Sequence, residues 1–349
     1  MSVVDDGKKE ASMRVRSKRN RSRNIAIASV VNENFDDSNV IAALSSLRCY
    51  ALLHGYPLEI VRETPQWRQR CPQTDIMFRR HCIISYILPK YEWVLFLDAD
   101  VGVVNPTRYL VSTFPINELL PISTEAVEFI KKFAEYEKNL PNSLHGRDNG
   151  AIHFYIVERL ITAISKNEKK CRGIWDRSKN YGDLFAAEAC IRILLSENEH
   201  FNPHMKILSK GKAWMRDVFL TRGMWNWQRD FMLHGLKNQW LVRDKNVKLE
   251  IASGDLSRWY HPFTRLSFNE SKCAAQSQIW YWDAELIVDE TTLDAMLRKQ
   301  FMKADNWFHN TVKDMQKSLI NTSSYTLVAP KVMVAPKRAC RNTGTRAQQ

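Results

Sequence analysis

Trp93-Val94-Leu95-Phe96-Leu97-Asp98-Ala99-Asp100-Val101-Gly102-Val103-Val104-Asn105-Pro106 is the stretch on which the reading of this chain turns. Its first five residues are apolar, β-prone and free of charge, which predicts a buried strand in a parallel sheet. Asp98 and Asp100 follow at the C-terminal lip of that strand, where open α/β sheets place their ligands. Hard divalent cations take oxygen ligands, and Mg²⁺ or Mn²⁺ is commonly shared between carboxylates and substrate phosphates. The pair therefore points to a metal holding the diphosphate of an activated donor. The plainer alternative is that Asp98 only caps a loop.

Upstream, Ile25 to Val31 predicts a first strand. Ser38 to His54 predicts a helix with Val40, Ile41, Leu44, Leu47, Tyr50 and Ala51 on one face. Gly55 ends it and Pro57 bars its continuation. Leu58 to Val61 predicts a second strand, so the N-terminal part reads as strand–helix–strand, the start of a nucleotide-binding α/β fold. Thr64 to Thr74 reads as a loop, and Ile76 to Leu88 as a helix that carries Arg79, Arg80 and His81 near its start. Arg80 is a candidate phosphate partner; a surface cation would look the same.

Downstream, Thr107 to Pro121 has poor periodicity. A helix is expected from about Thr124 to Lys138. Pro141 to Gly150 reads as a polar loop containing Asp148 and Asn149, followed by a helix to about Ser165. A further helix is expected over residues 183–195, and a strand over Phe201 to Leu208. Residues 212–240 are rich in aromatics (Trp214, Phe219, Trp225, Trp227, Phe231, Trp240), for which core packing is the simpler reading and sugar stacking the alternative. Within that stretch, His234-Gly235-Leu236-Lys237 offers an imidazole for a metal and an ammonium for phosphate, or merely a helix end. Residues 255–320 read as partly helical, with Trp259 to Pro262 as a turn.

The 349 residues suffice for one large α/β domain or two ordinary ones. No run approaches the ~18 apolar residues of a membrane span, and the first 23 residues lack the apolar core of a secretory signal. The net charge of +13 sits mostly at the ends. Residues 1–23 carry eight Lys/Arg against three acids, residues 331–349 five against none, and +3 remains for residues 24–330. Both ends read as disordered tails, and the body lacks the charge of a nucleic-acid-binding domain. Seven cysteines show neither CxxC nor zinc spacing. Cys49, Cys82 and Cys190 read as small buried hydrophobes. Asn269 and Asn321 head N-x-S/T sequons that weigh little by themselves.

The combination of Phe78 to Cys82, Leu88 to Pro106, Leu140 to Ser143, His145 to His153, Tyr181 to Phe185, Glu188 to Arg192 and Asp230 to Gly235 resembles a nematode-expanded family of uncharacterised proteins classed as nucleotide-diphospho-sugar transferases. More distantly, the layout is similar to retaining glycosyltransferases of the GT-A fold, such as the yeast α-galactosyl/mannosyltransferases and the plant xyloglucan xylosyltransferases. That resemblance implies Asp98, Asp100 and His234 as ligands of Mn²⁺ or Mg²⁺, Lys237 near the diphosphate, and Asp148-Asn149 at the donor sugar. The chain departs from the pattern in two places. Only Thr107 to Ser123 fills an interval that is longer in the family, and the N-terminal anchor of a Golgi transferase is missing.

The expected architecture is a GT-A-like α/β domain over residues 24–250, a mixed sheet flanked by helices, then a partly helical extension over 251–325. Basic tails at 1–23 and 326–349 complete the chain. The expected function is metal-dependent transfer of a sugar from a nucleotide diphosphate donor to a glycan or other hydroxyl acceptor, with Asp148 the first candidate if a protein base is required. The alternatives are an impaired remnant that binds glycan or nucleotide, and nucleic-acid binding through the tails. A histidine ligand at the ordinary imidazole pKa, near 6.5, would make metal affinity fall as pH drops through that value.

Overall fold

The computed structural model describes residues 24–110, 123–160, 166–196, 205, 215–242, 258–273 and 277–320. The tails, most of the Thr107–Ser123 interval and, Met205 apart, the strand expected over Phe201–Leu208 lie outside the described residues. The architecture is mixed α/β. In chain order, β1 (Ile25–Val31) leads through α1 (Ile41–His54) to β2 (Leu58–Arg62), then through α2 (Pro65–Arg70) and α3 (Ile76–Ile87) to β3 (Trp93–Phe96). The three strands form a parallel sheet of order β2-β1-β3.

Both faces of β1 are covered, which is why its sequence is apolar throughout. Ile25, Ile27 and Val31 face one core with Leu44, Leu47 and Tyr50 of α1; Ala28 and Val30 face another with Ile83, Ile84 and Ile87 of α3. Gly55 closes α1 at φ +69°. The stretch expected as a loop over Thr64–Thr74 contains α2, whose start signal is present in the sequence: Thr64 caps it by accepting from Trp67 N–H, and Pro65 opens it. Glu137 accepts from the N–H groups of Thr74 (2.9 Å) and Asp75 (2.6 Å), fixing the entry to α3.

After β3 come β4 (Val101–Val103), α4 (Thr124–Glu135), α5 (Arg147–Leu160), α6 (Lys166–Trp175), α7 (Tyr181–Ser196), β5 (Met215–Asp217) and β6 (Met232–His234). Strands β4, β6 and β5 make a second sheet, antiparallel between β4 and β6 and parallel between β6 and β5. Helices α4 to α7 enclose their own core around Phe133, Phe154, Trp175 and Leu184, with Phe154 and Trp175 stacked at 4.0 Å. Asp148 and Asn149 belong to the first turn of α5, not to a loop; the helix begins at Arg147, right after Gly146. The expected turn at Trp259–Pro262 is instead opened by a strand, β8 (Trp259–Tyr260), parallel to β7 (Leu241–Val242). The last element is α8 (Glu290–Ile320). Trp259, Phe263, Phe268, Ile279 and Trp280 join the same core as Ile25 and Ile27, so these residues beyond position 250 are packed into the body. Trp225 and Phe231 are buried there and Trp227 and Trp240 pack against it, as core packing requires, whereas Trp214 lies outside the described residues. No described helix is long and apolar enough to cross a membrane.

The expectation that Cys49, Cys82 and Cys190 act as plain hydrophobes is corrected by three disulfides, Cys49–Cys273, Cys71–Cys82 and Cys171–Cys190. Spacing could not reveal them, because the partners meet only through tertiary packing. Cys49–Cys273 spans 224 positions. A link that closes so long a loop removes roughly 5 kcal/mol of unfolded-chain entropy in the simplest model.

One buried ion pair holds the second sheet. Arg216 and Asp230 are each 3% exposed. The guanidinium donates to both Asp230 oxygens (2.6 and 2.9 Å), to Thr221 Oγ1 (2.7 Å) and to the Met224 carbonyl (2.8 Å). Asp230→Ala leaves a buried guanidinium without its counter-charge and should cost about 3–5 kcal/mol in urea unfolding; a change below about 1 kcal/mol would show that the pair is not structural.

Candidate metal centre

Strand register builds the site. β3 delivers Asp98 at its end, and the chain then enters β4. Val101 is the Cα partner of His234, and Gly102 and Val103 are those of Leu233 and Met232. The Asp100 carbonyl accepts from Gly235 N–H (3.2 Å) and Leu236 N–H (2.9 Å), so the turn after β6 is tied to the residue before β4. Two glycines are required. A Cβ on Gly102 would lie 2.6 Å from Leu236 Cδ1 and 3.2 Å from the Ala43 backbone, because α1 crosses close over β4. Gly235 has φ +96° and sits under Trp259, whose Nε1–H donates to its carbonyl at 3.1 Å.

Asp98, Asp100 and His234 therefore converge across 134 positions of sequence between the last two. One ligand atom from each lies within 4.8 Å of the others. His234 Nε2 is 3.6 Å from Asp98 Oδ2 and 3.4 Å from Asp100 Oδ1. Two ligands of one Mg²⁺-sized ion are at most about 4.2 Å apart, a limit that His234 Nε2 meets to each aspartate. His234 Nδ1 faces Asp217 Oδ1 at 2.8 Å, which leaves Nε2 as the nitrogen turned to the aspartates. Asp217 and the supporting Trp259 were missed by sequence reasoning. The only available signal was the Arg216-Asp217 pair beside an apolar run, which is no signal without the β5–β6 pairing.

Cations surround the carboxylates. Lys237 Nζ is 3.3 Å from Asp100 Oδ2 and 4.5 Å from the centre of the Trp240 ring. Arg80, at one turn of α3, bridges Asp98 and Asp148, the latter at 2.5 Å. His81 Nε2 is 3.4 Å from the same Asp148 oxygen. Arg80, Lys237, Asp98, Asp100, Asp148 and His234 thus form one connected cluster. Asn149 is not tied into it: it is exposed, and its carbonyl meets His153 Nδ1 at 3.0 Å.

The electrostatics follow from that geometry. Burial works against every charge here, and it is outweighed where a counter-charge touches. Burial would raise Asp98, but His234 and Arg80 bring its pKa down to about 2. Burial would raise Asp148 as well, and His81 and Arg80 hold it below the usual carboxylate range. Burial would lower His234, yet Asp217, Asp98 and Asp100 raise it to about 10. That corrects the expectation of an ordinary imidazole. Without a metal the ring is a cation at neutral pH. His81 is the opposite case, with burial holding its pKa below the ordinary value and favouring the neutral ring.

Comparison with known proteins gives one family. The model described as "Protein of unknown function, DUF273" matches residues 47–119 and 117–251, more than half of the chain, and the two segments meet inside the short Thr107–Ser123 interval. No curated protein matches. Among solved structures, the chain is similar to one titled "crystal structure of a glycosyltransferase involved in the glycosylation of the major capsid of PBCV-1", at 15% identity over 60% of this chain and 92% of that one, with a TM-score of 0.36. So low a score supports no statement about fold or activity.

The His234 shift carries a stability signature. Its pKa is raised on folding, so the stabilisation is full below about pH 6.5 and is lost as pH rises towards 10. The chelator-treated protein should lose thermal stability across that window, and His234→Gln should flatten the profile there. Parallel profiles for the two proteins would mean that the imidazolium contributes nothing.

Proposed function

We propose that this chain, which belongs to the DUF273 family of proteins of unknown function, transfers a glycosyl group from a nucleotide diphosphate donor to a glycan or other hydroxyl acceptor. In this reading residues 24–250 are a GT-A-like unit, and Mn²⁺ or Mg²⁺ is held by Asp98, Asp100 and His234. The observation that carries the reading is the convergence of those three ligand atoms within 4.8 Å at the C-terminal edge of a parallel strand, with Lys237 and Arg80 beside them. Two carboxylate oxygens and one imidazole suit a divalent cation of intermediate hardness. The sequence resemblance to nucleotide-diphospho-sugar transferases supplies the reaction class.

A cation bound there supplies Lewis-acid stabilisation of charge on the leaving diphosphate. The chain's own groups do the rest. Asp98 and Asp148 are held ionised by the residues around them. Asp217 keeps the proton on His234 Nδ1, so Nε2 is the nitrogen that must lose its proton for the ring to become a ligand. Lys237, on leaving Asp100, and Arg80 place positive charge where diphosphate charge grows. Asp148 is only 4% exposed and already shared between Arg80 and His81. A carboxylate so placed is a poor proton acceptor, and its fitting role is to orient Arg80. Front-face transfer with retention, which needs no strong protein base, accords with that arrangement.

Mn²⁺ titration calorimetry and thermal shift with nucleoside diphosphate sugars test the reading together. Asp98→Asn with Asp100→Asn should abolish measurable Mn²⁺ binding, and Asp217→Asn should weaken it about 10–100-fold. Wild-type affinity should climb with pH from 6 towards 10, because the ion displaces the Nε2 proton. Mn²⁺ binding that survives in the double variant, or stays flat with pH, would remove the site from these residues. Sugar transfer that proceeds undiminished in excess chelator would remove the metal from the reaction.

A further inference from the structure

Six of the seven cysteines are joined in disulfides, and three such bonds persist in an oxidising compartment. In eukaryotic cells that compartment also carries out N-glycosylation. One sequon, Asn269-Glu270-Ser271, lies in the described part of the chain. Its placement suits a large appended group. Phe268 before it and Cys273 after it are buried, and Cys273 is tied to Cys49 of α1, so the turn is anchored at both ends while Asn269, Glu270 and Ser271 are exposed. Asn269 Oδ1 accepts from Ser271 N–H (3.1 Å) and from the Ser271 hydroxyl (2.7 Å). Its Nδ2 has no partner among the described residues. A substituent on Nδ2 therefore breaks no described hydrogen bond and displaces no core group.

We propose that Asn269 carries an N-linked glycan, attached in the compartment that forms the three disulfides. This inference is independent of the proposed transferase reaction. The donor class is a lipid-linked oligosaccharyl diphosphate. A bond forms between Asn269 Nδ2 and the anomeric carbon, the bond from that carbon to the diphosphate oxygen breaks, the lipid diphosphate leaves, and one Nδ2 hydrogen departs as a proton. Nothing is oxidised or reduced.

The test directs the full chain into the secretory pathway of a eukaryotic host behind a cleavable leader. The recovered protein, secreted or retained in the membrane-enclosed fraction, is digested with peptide-N-glycosidase, which leaves aspartate where a glycosylated asparagine stood. Mass spectrometry should find Asp at position 269 after digestion and unpaired thiol at none of the six bonded cysteines. Ser271→Ala keeps the Asn269 carboxamide in its turn but breaks the sequon, and should abolish conversion at 269. Ser271→Thr should restore or increase it, and Asn321→Gln should leave it unchanged. An unmodified Asn269 peptide from disulfide-bonded protein overturns the proposal, as does conversion that persists in Ser271→Ala.

Discussion

Everything at the candidate centre depends on the pairing of Val101 with His234. In an antiparallel pair, a one-residue slip turns every side chain to the opposite face. A slip here would send the imidazole away from Asp98 and Asp100 and take the Asp100 carbonyl from the Gly235 and Leu236 amides. The pairing is held at its far end by Val104 N–H (2.9 Å) and Asn105 N–H (3.1 Å), which both donate to the Phe231 carbonyl, and each strand is held from behind: β4 by α1, where Ser46 Oγ accepts from Val103 N–H at 3.0 Å, and β6 by the Arg216–Asp230 pair to β5. The site is thus assembled by residues that take no part in its chemistry.

The cluster also comes within one charge of balance. Asp98, Asp100, Asp148 and Asp217 face Arg80, Lys237 and protonated His234. Unit charges 4 Å apart interact by about 4 kcal/mol at the dielectric typical of such positions, so bare carboxylates this close would oppose folding. The chain meets that with its own cations, each reaching in from a different element: α3, β6 and the turn after it. Entry of a divalent ion would be an exchange of cations, with the histidine proton expelled and Lys237 turned outwards.

Much of this could be read from the sequence, and the exceptions share a cause. The β1-α1-β2 unit, α3 and β3 follow from local periodicity and from breakers such as Gly55 and Pro57. The elements that escaped are short or depend on distant partners. β8 consists of two residues and exists only because β7 lies beside it; α2 is a single capped turn and a half; the disulfides join positions up to 224 apart. At the site, Asp98 and Asp100 announce themselves by their strand, and His234 and Lys237 by the family resemblance. Asp217 is silent because its role is set wholly by strand pairing. The imidazole's raised pKa was equally hidden, since it reflects three carboxylates gathered from the ends of β3, β4 and β5.

The Cys49–Cys273 bond gives the molecule a covalent ring. Asp98, Asp100, Asp148, Asp217 and His234 all lie on the arc between the two cysteines. A single backbone cleavage anywhere on that arc opens the ring but releases nothing. The nicked protein gains only the water of hydrolysis and keeps its pieces joined through the disulfide, and it separates into fragments only under reducing conditions. Maturation or damage by proteolysis along this stretch would therefore release no fragment in the absence of a thiol.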